Sequence, residues 1–255
     1  MRVGWRNVRE TNAVTLRIAM WSGPRNLSTA LMRSFSSRTD TFVSDEPFYG
    51  CFLKDAGVGH PMREEVIAAM DCDWANVMAS LRGPPPEPRP VWYQKHMWHH
   101  MAGPIGYDDF AGFTHAFLIR EPERMIASYL RQREVAAFEH FGMDRQAEFF
   151  EREANRLGHA PPVIDAHDVL VNPQGVLTRL CEALGIPWDI AMLSWPPGRR
   201  ATDGPWAPHW YGAVEASTGF GPPETAPDAL TEDAQRVADQ CRPYYERLAA
   251  HRLNR

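Results

Sequence analysis

The chain has 255 residues, 44% hydrophobic and 23% charged, with a formal net charge of −5. That balance fits a soluble globular protein with room for a full core, and it supplies no global basic field to attract nucleic acid. The four cysteines, Cys51, Cys72, Cys181 and Cys241, form no CxxC pair, which argues against a disulfide framework or a zinc knuckle and for a reducing, cytoplasmic setting.

Residues 1–14 are polar, lack the apolar core of a signal peptide and are expected to form a loose arm. No window of the sequence approaches the length of a membrane span. Leu16–Trp21 reads as a short buried strand, and Leu27–Phe35 repeats its apolar residues at helical spacing. Between them lies Ser22-Gly23-Pro24-Arg25-Asn26. A strand that turns sharply into a helix aims free backbone N–H groups and the positive end of the helix dipole at one spot, a ready anion site. Arg25 adds a forked cation there, and Ser28 and Thr29 add hydroxyls.

A second strand, Thr41–Ser44, ends in Asp45-Glu46-Pro47-Phe48, where proline fixes a turn. This carboxylate pair falls on the same sheet edge as the anion turn and is placed for acid/base work. Two short helical patterns follow, REEVIAAM and DWANVMASL, then a proline-rich surface segment over 82–90. Pro90–Met97 is a third strand, finishing with Lys95 and His96, and His99 and His100 come just after. Adjacent histidines on a strand point to opposite faces, so no metal site is expected in this cluster. Lys95 and His96 read instead as catalytic or anion-contacting groups.

Thr114–Arg120 is an apolar run ending in arginine, and Glu121-Pro122 opens a helix that carries Ser128, eight residues beyond Arg120. A charged amphipathic helix spans 143–158. Pro162–Asp165 is a short strand, and Asn172-Pro173 starts a helix that Gly185 stops. The segment 194–230 is rich in Pro, Gly and Trp, contains Arg199 and Arg200, and is expected to form an irregular lid. A final helix lies near 231–253. Strands alternating with helices indicate an α/β fold with a mostly parallel sheet, whose ligands sit at the carboxyl ends of the strands. Arg25, Glu46, Lys95, His96 and Arg120 all fall at such ends, so one pocket is expected to gather them. The tryptophans Trp92, Trp98, Trp195, Trp206 and Trp210 are expected in the core or a lid more than in an acceptor pocket.

Four stretches, in order, resemble sulfotransferases that use 3′-phosphoadenosine 5′-phosphosulfate (PAPS). Pro24–Thr29 resembles the family's 5′-phosphosulfate loop, P-(R/K)-S-G-(S/T)-T, with Asn26 and Leu27 standing where Ser and Gly are usual. Phe117–Pro122, continuing to Ser128, resembles its 3′-phosphate motif. Asp165–Pro173 with Leu184–Pro187 resembles its late strand-and-helix stretch, and Arg199-Arg200 with 204–209 is loosely similar to its C-terminal loop.

The resemblance implies one three-layer α/β/α domain, related to P-loop nucleotide hydrolases, over the chain. It implies sulfuryl transfer from PAPS, without a metal, to a hydroxyl or amine of a small-molecule acceptor. Arg25, Asn26, Ser28, Thr29, Arg120, Ser128, His167, Arg199 and Arg200 would hold the donor, with Arg25 and the Arg120–Ser128 pair gripping its opposite ends. Arg25 and Lys95 would neutralise the leaving oxygen, and Glu46, ahead of His96, would be the general base. A leucine in the phosphosulfate loop needs a negative φ or carries strain. The alternatives are a P-loop small-molecule kinase, although GxxxxGK[ST] is absent, and an inactive PAPS-binding protein. Oligomeric state is left open.

Overall fold

The structure, a computed structural model, describes residues 15–253 apart from 58, 224, 226 and 228, so the expected N-terminal arm lies outside the described residues. Five parallel strands form one sheet in the order β2-β3-β1-β4-β5: β1 Leu16–Ser22, β2 Thr41–Asp45, β3 Val91–Met97, β4 Thr114–Ile119 and β5 Val163–Asp165. The helices between them are α1 Ser28–Ser36, α2 Tyr49–Ala56, α3 Arg63–Ala69, α4 Trp74–Arg82, α5 Pro122–Leu130 and α6 Met143–Leu157. After β5 come α7 Ala166–Val171, α8 Pro173–Leu184, the single turns α9 Ala207–Trp210 and α10 Gly212–Glu215, and α11 Glu232–Ala249.

The period-two alternation of β1 builds two cores. Ile18 and Met20 face one side, where α1 brings Leu31, Met32 and Phe35 and α8 brings Leu177, Leu180 and Leu184. Ala19 and Trp21 face the other, where α4 brings Trp74 and Met78 and α6 brings Phe149 and Phe150. Both faces of the sheet are covered, which gives three layers and explains why the strands read as unbroken apolar runs. Helix ends follow local chemistry. Asn172 caps α8 by accepting from the Gly175 N–H at 3.0 Å, Pro173 fills its first turn, and Gly185 ends it at φ 70°.

The chain leaves β1, lays β3 and β2 on one side, then crosses to β4 and β5 on the other. The crevice at the carboxyl end of β1 is therefore the switch point where α/β sheets take ligands. Helix α2 lies where the sequence reading had only a turn and unassigned chain. Among the described residues no helix is long and apolar enough to cross a membrane.

Candidate active site

A cleft of about 1460 Å³ opens at that switch point. Its floor is the turn from β1 into α1. The first helical hydrogen bond of α1 runs from the Leu31 N–H to the Leu27 carbonyl, and no side chain caps the helix. The N–H groups of Ser28, Thr29 and Ala30 therefore lack intrahelical acceptors and line the cleft. Such a floor suits a phosphate or sulfate group. Asn26 is 2% exposed and braces the turn from within. In the amide orientation that satisfies both of its ends, it bonds the Gly23 N–H and the Pro24 carbonyl.

Arg25 and Leu27 adopt φ 62° and 68°, and Glu46 adopts φ 43°. These three line the cleft; the fourth described non-glycine residue at positive φ, Met62, does not. Left-handed side-chain-bearing residues are strained by roughly 1–3 kcal/mol, and such strain gathers at functional sites. The strain expected at Leu27 is thus present, and its side chain packs against the α1-side core.

Arg25 Nε donates to Ser128 Oγ at 3.2 Å, and Arg120 donates to the Arg25 carbonyl. The residues expected to grip opposite ends of a donor, Arg25 and the Arg120–Ser128 pair, thus lie in the same cleft and touch one another. Across the floor, Lys95 Nζ lies 2.9 Å from Asp45 Oδ1 and 2.6 Å from Glu46 Oε1, and donates to Thr29 Oγ1 at 3.1 Å and to the Tyr211 hydroxyl at 2.8 Å. Burial works against the Lys95 charge, but Asp45 and Glu46 outweigh it and hold its pKa well above the usual lysine value. Burial pushes Glu46 above the ordinary carboxylate range; Lys95 opposes that and the Asp45 charge adds to it. The Glu46 side chain keeps 11% of its surface open, so its raised basicity is presented to the cleft. Glu46 Oε2 is 3.5 Å from His100 Nδ1.

His96 is not part of this site. It follows Lys95 on β3, and adjacent strand residues face opposite sides. His96 is 1% exposed, stacks on Trp21 at 4.6 Å, and burial pushes its pKa down to about 3. It is a neutral core side chain, and His100, four residues later at the end of a single turn, is the histidine that reaches Glu46. His167 sits in the first turn of α7, its backbone N–H bonded to Asp165, and does not line the cleft. Arg199 is exposed and outside the cleft. Arg200 donates to the Pro196 carbonyl at 2.6 Å and borders a separate cavity of about 310 Å³. The lid-like segment reaches the cleft through Trp206, Trp210 and Tyr211 instead. It is pinned by a buried Arg33–Asp203 pair at 2.7 Å, and by the Gly204 N–H and Tyr211 hydroxyl, which donate to Asp45 Oδ2 at 3.0 and 2.8 Å. Trp92, Trp98 and Trp195 are buried away from the cleft.

Sequence reasoning missed Tyr49, His60, His100, Arg133 and Tyr211. His100 stood in a cluster weighed only for metal, and Tyr211 closed the aromatic run of the lid segment.

A family model described as "Sulfotransferase domain" matches residues 16–252. Two Arabidopsis thaliana proteins called branched-chain-amino-acid aminotransferase-like protein 2 and 1 are 32% and 33% identical over 234 residues, 92% of this chain. The chain spans only 41% and 42% of their lengths, so most of each relative lies outside the match. Among solved structures, the sulfotransferase domain from the Synechococcus PCC 7002 olefin synthase is similar in fold. Its TM-score is 0.56 at 19% identity, over 93% of this chain and 98% of that one.

Proposed function

The chain belongs to the sulfotransferase family, and from that premise we propose that it moves a sulfuryl group from PAPS to a hydroxyl of a small-molecule acceptor. The observation that carries this reading is the Lys95 ammonium, held between Glu46 and Thr29 beside the uncapped start of α1. The donor, when bound, supplies an electrophilic sulfur on a phosphate leaving group. Ser28, Thr29 and the first N–H groups of α1 hold the 5′-phosphate. Arg120 and Ser128 hold the 3′-phosphate.

Glu46 takes the acceptor's hydroxyl proton, and burial, which raises its pKa above the ordinary 4.5, makes it a stronger base than an exposed carboxylate. The acceptor oxygen bonds to sulfur as the bond from sulfur to the bridging oxygen breaks, and the negative charge leaves on that oxygen. Arg25 and Lys95 set positive charge where it develops, a contribution worth roughly 10²–10³ in rate per group. The free state of Cys51, Cys72, Cys181 and Cys241 and the acidic net charge support a cytoplasmic enzyme acting on small molecules.

The test is transfer of labelled sulfuryl from PAPS across a panel of hydroxylated acceptors. The wild-type protein is expected to label at least one acceptor, with Arg25→Ala and Glu46→Gln each lowering kcat by about 10²-fold or more. Undiminished activity in both variants would defeat the role assignments.

A further inference from the structure

One wall of the cleft runs away from Glu46 as a chain of touching side chains. The His100 ring beside Glu46 stacks on Tyr49 at 4.4 Å and on Phe52 at 5.0 Å. The Tyr49 hydroxyl bonds His60 Nδ1, and His60 Nε2 lies 2.6 Å from the Arg133 guanidinium. Arg133 in turn lies over the Trp210 ring at 4.7 Å. All of these line the cleft. We infer that the acceptor is a hydroxylated carboxylic acid, its hydroxyl at Glu46 and its carboxylate on Arg133, with an apolar or aromatic body along the rings between them. This inference rests on the sulfotransferase reading of the Glu46 end.

The charges of the cleft are allotted unevenly. Lys95 is met by two carboxylates, Asp45 and Glu46. Arg25 and Arg120 are tied into the cluster with Ser128 at the phosphate floor. Arg133 stands at the far end of that chain of side chains, half-buried, and among the described residues no carboxylate lies within ion-pair distance of it. A guanidinium has five N–H donors in a planar fork that matches a carboxylate. Its contact with His60 uses one terminal nitrogen and Trp210 covers one face, so most of its donors are not taken up by these two neighbours, and the side chain lines the cleft.

His60 strengthens the case for a single negative charge. Burial, with the Arg133 charge, holds its pKa down to about 4, so it is neutral near pH 7 and accepts from Arg133. Of the His60–Arg133 pair, only Arg133 is then charged. Arg131 also lines the cleft but is exposed and lacks these ring contacts, and Glu134 and Glu139 at the same rim disfavour a dianion.

The probes are p-hydroxyphenylpropanoate and ω-hydroxyoctanoate, each beside its methyl ester, and p-hydroxybenzylphosphonate. Each acid is expected to be sulfated with kcat/KM about 10- to 100-fold above its ester, the difference carried by KM, as a charge-assisted hydrogen bond allows. Arg133→Gln is expected to bring acid and ester within about threefold of each other, and Arg133→Lys to restore part of the gap. Acid and ester used equally by the wild-type protein, or a preference that survives Arg133→Gln, would overturn the inference. A phosphonate preferred to the carboxylates would overturn the assignment of a monoanion.

Calorimetric binding of the same acid–ester pairs needs no turnover and decides the point if none of the probes is sulfated: acids that bind no more tightly than esters refute it. Binding of 3′-phosphoadenosine 5′-phosphate (PAP), read separately, is expected to change less than twofold in Arg133→Gln. Acid preference without any PAP binding would leave Arg133 as the carboxylate site while the PAPS reading fell.

Discussion

At the scale of single residues, Glu46 is the base of the proposed transfer, and its environment sets a pH dependence. It must lose its proton before it can accept one from the acceptor. Burial raises its pKa above the ordinary value of 4.5, with the Asp45 charge adding and Lys95 opposing. Activity is therefore expected to rise with pH along a limb whose midpoint lies above 4.5, and the limb is expected to vanish from the residual activity of Glu46→Gln. A kcat/KM profile checks this; a limb unchanged in the variant would remove Glu46 from the base role. The sequence made the candidates visible because strand ends in a parallel sheet converge. It also suggested two residues where the geometry allows one. Lys95 and His96 share a strand end, but the pleat sends Lys95 to the cleft and His96 against Trp21. The strained φ angles of Arg25 and Glu46 were not legible, because left-handed residues other than glycine are imposed by their surroundings.

At the scale of elements, the segment from Asp203 to Tyr211 is a strap rather than a loose cover. The Arg33 and Asp203 side chains are 1% and 0% exposed and lie 2.7 Å apart, so α1 and the strap are joined through a dry ion pair. Removing one member leaves the other charge buried. Asp203→Ala is expected to cost about 3–5 kcal/mol in urea unfolding. A change under about 1 kcal/mol would show that the strap does not depend on this pair. The regular elements were readable: β1 with α1, β4 with α5, and α8 between Asn172 and Gly185 follow from apolar spacing and capping residues. The strap was flagged by composition and by a loose resemblance to the family's C-terminal loop. Its path is set by long-range bonds such as Tyr211 to Asp45, which no local pattern encodes, and that is why Arg199 and Arg200 were expected in a cleft they do not enter. Helix α2 escaped notice because a Pro-fixed turn and short length masked its one buried face.

The whole molecule buries histidines in neutral form, and its stability should report it. His96 and His115 are 1% and 5% exposed, and burial takes their pKa values down to about 3 and 4 from 6.5; burial also takes His100 well below 6.5. Below pH 6.5 the unfolded chain binds protons that the folded chain refuses, so these groups stabilise the fold above 6.5 and lose that stabilisation as pH falls. Raised carboxyls, Glu46 and Asp165, act in the opposite sense, because the folded state holds their protons. Burial also takes His60 and His99 down to about 4 and 3, so five lowered histidines stand against two raised carboxyls. Unfolding free energy is expected to fall by at least about 3 kcal/mol between pH 7.0 and 5.5, since the five histidines contribute about 1 kcal/mol each and the two carboxyls oppose them. Stability that is level or higher at pH 5.5 would contradict the neutral burial.

The sheet order joins these scales, since it sets the uncapped start of α1, Lys95 and Glu46 around one crevice. The claim that this crevice is a PAPS site is tested most directly by calorimetric titration with PAP. The wild-type protein is expected to bind PAP but not ATP with magnesium, with affinity reduced about tenfold or more in Arg25→Ala and in Arg120→Ala. Absence of PAP binding by the wild-type protein, or equal binding of ATP with magnesium, would contradict it.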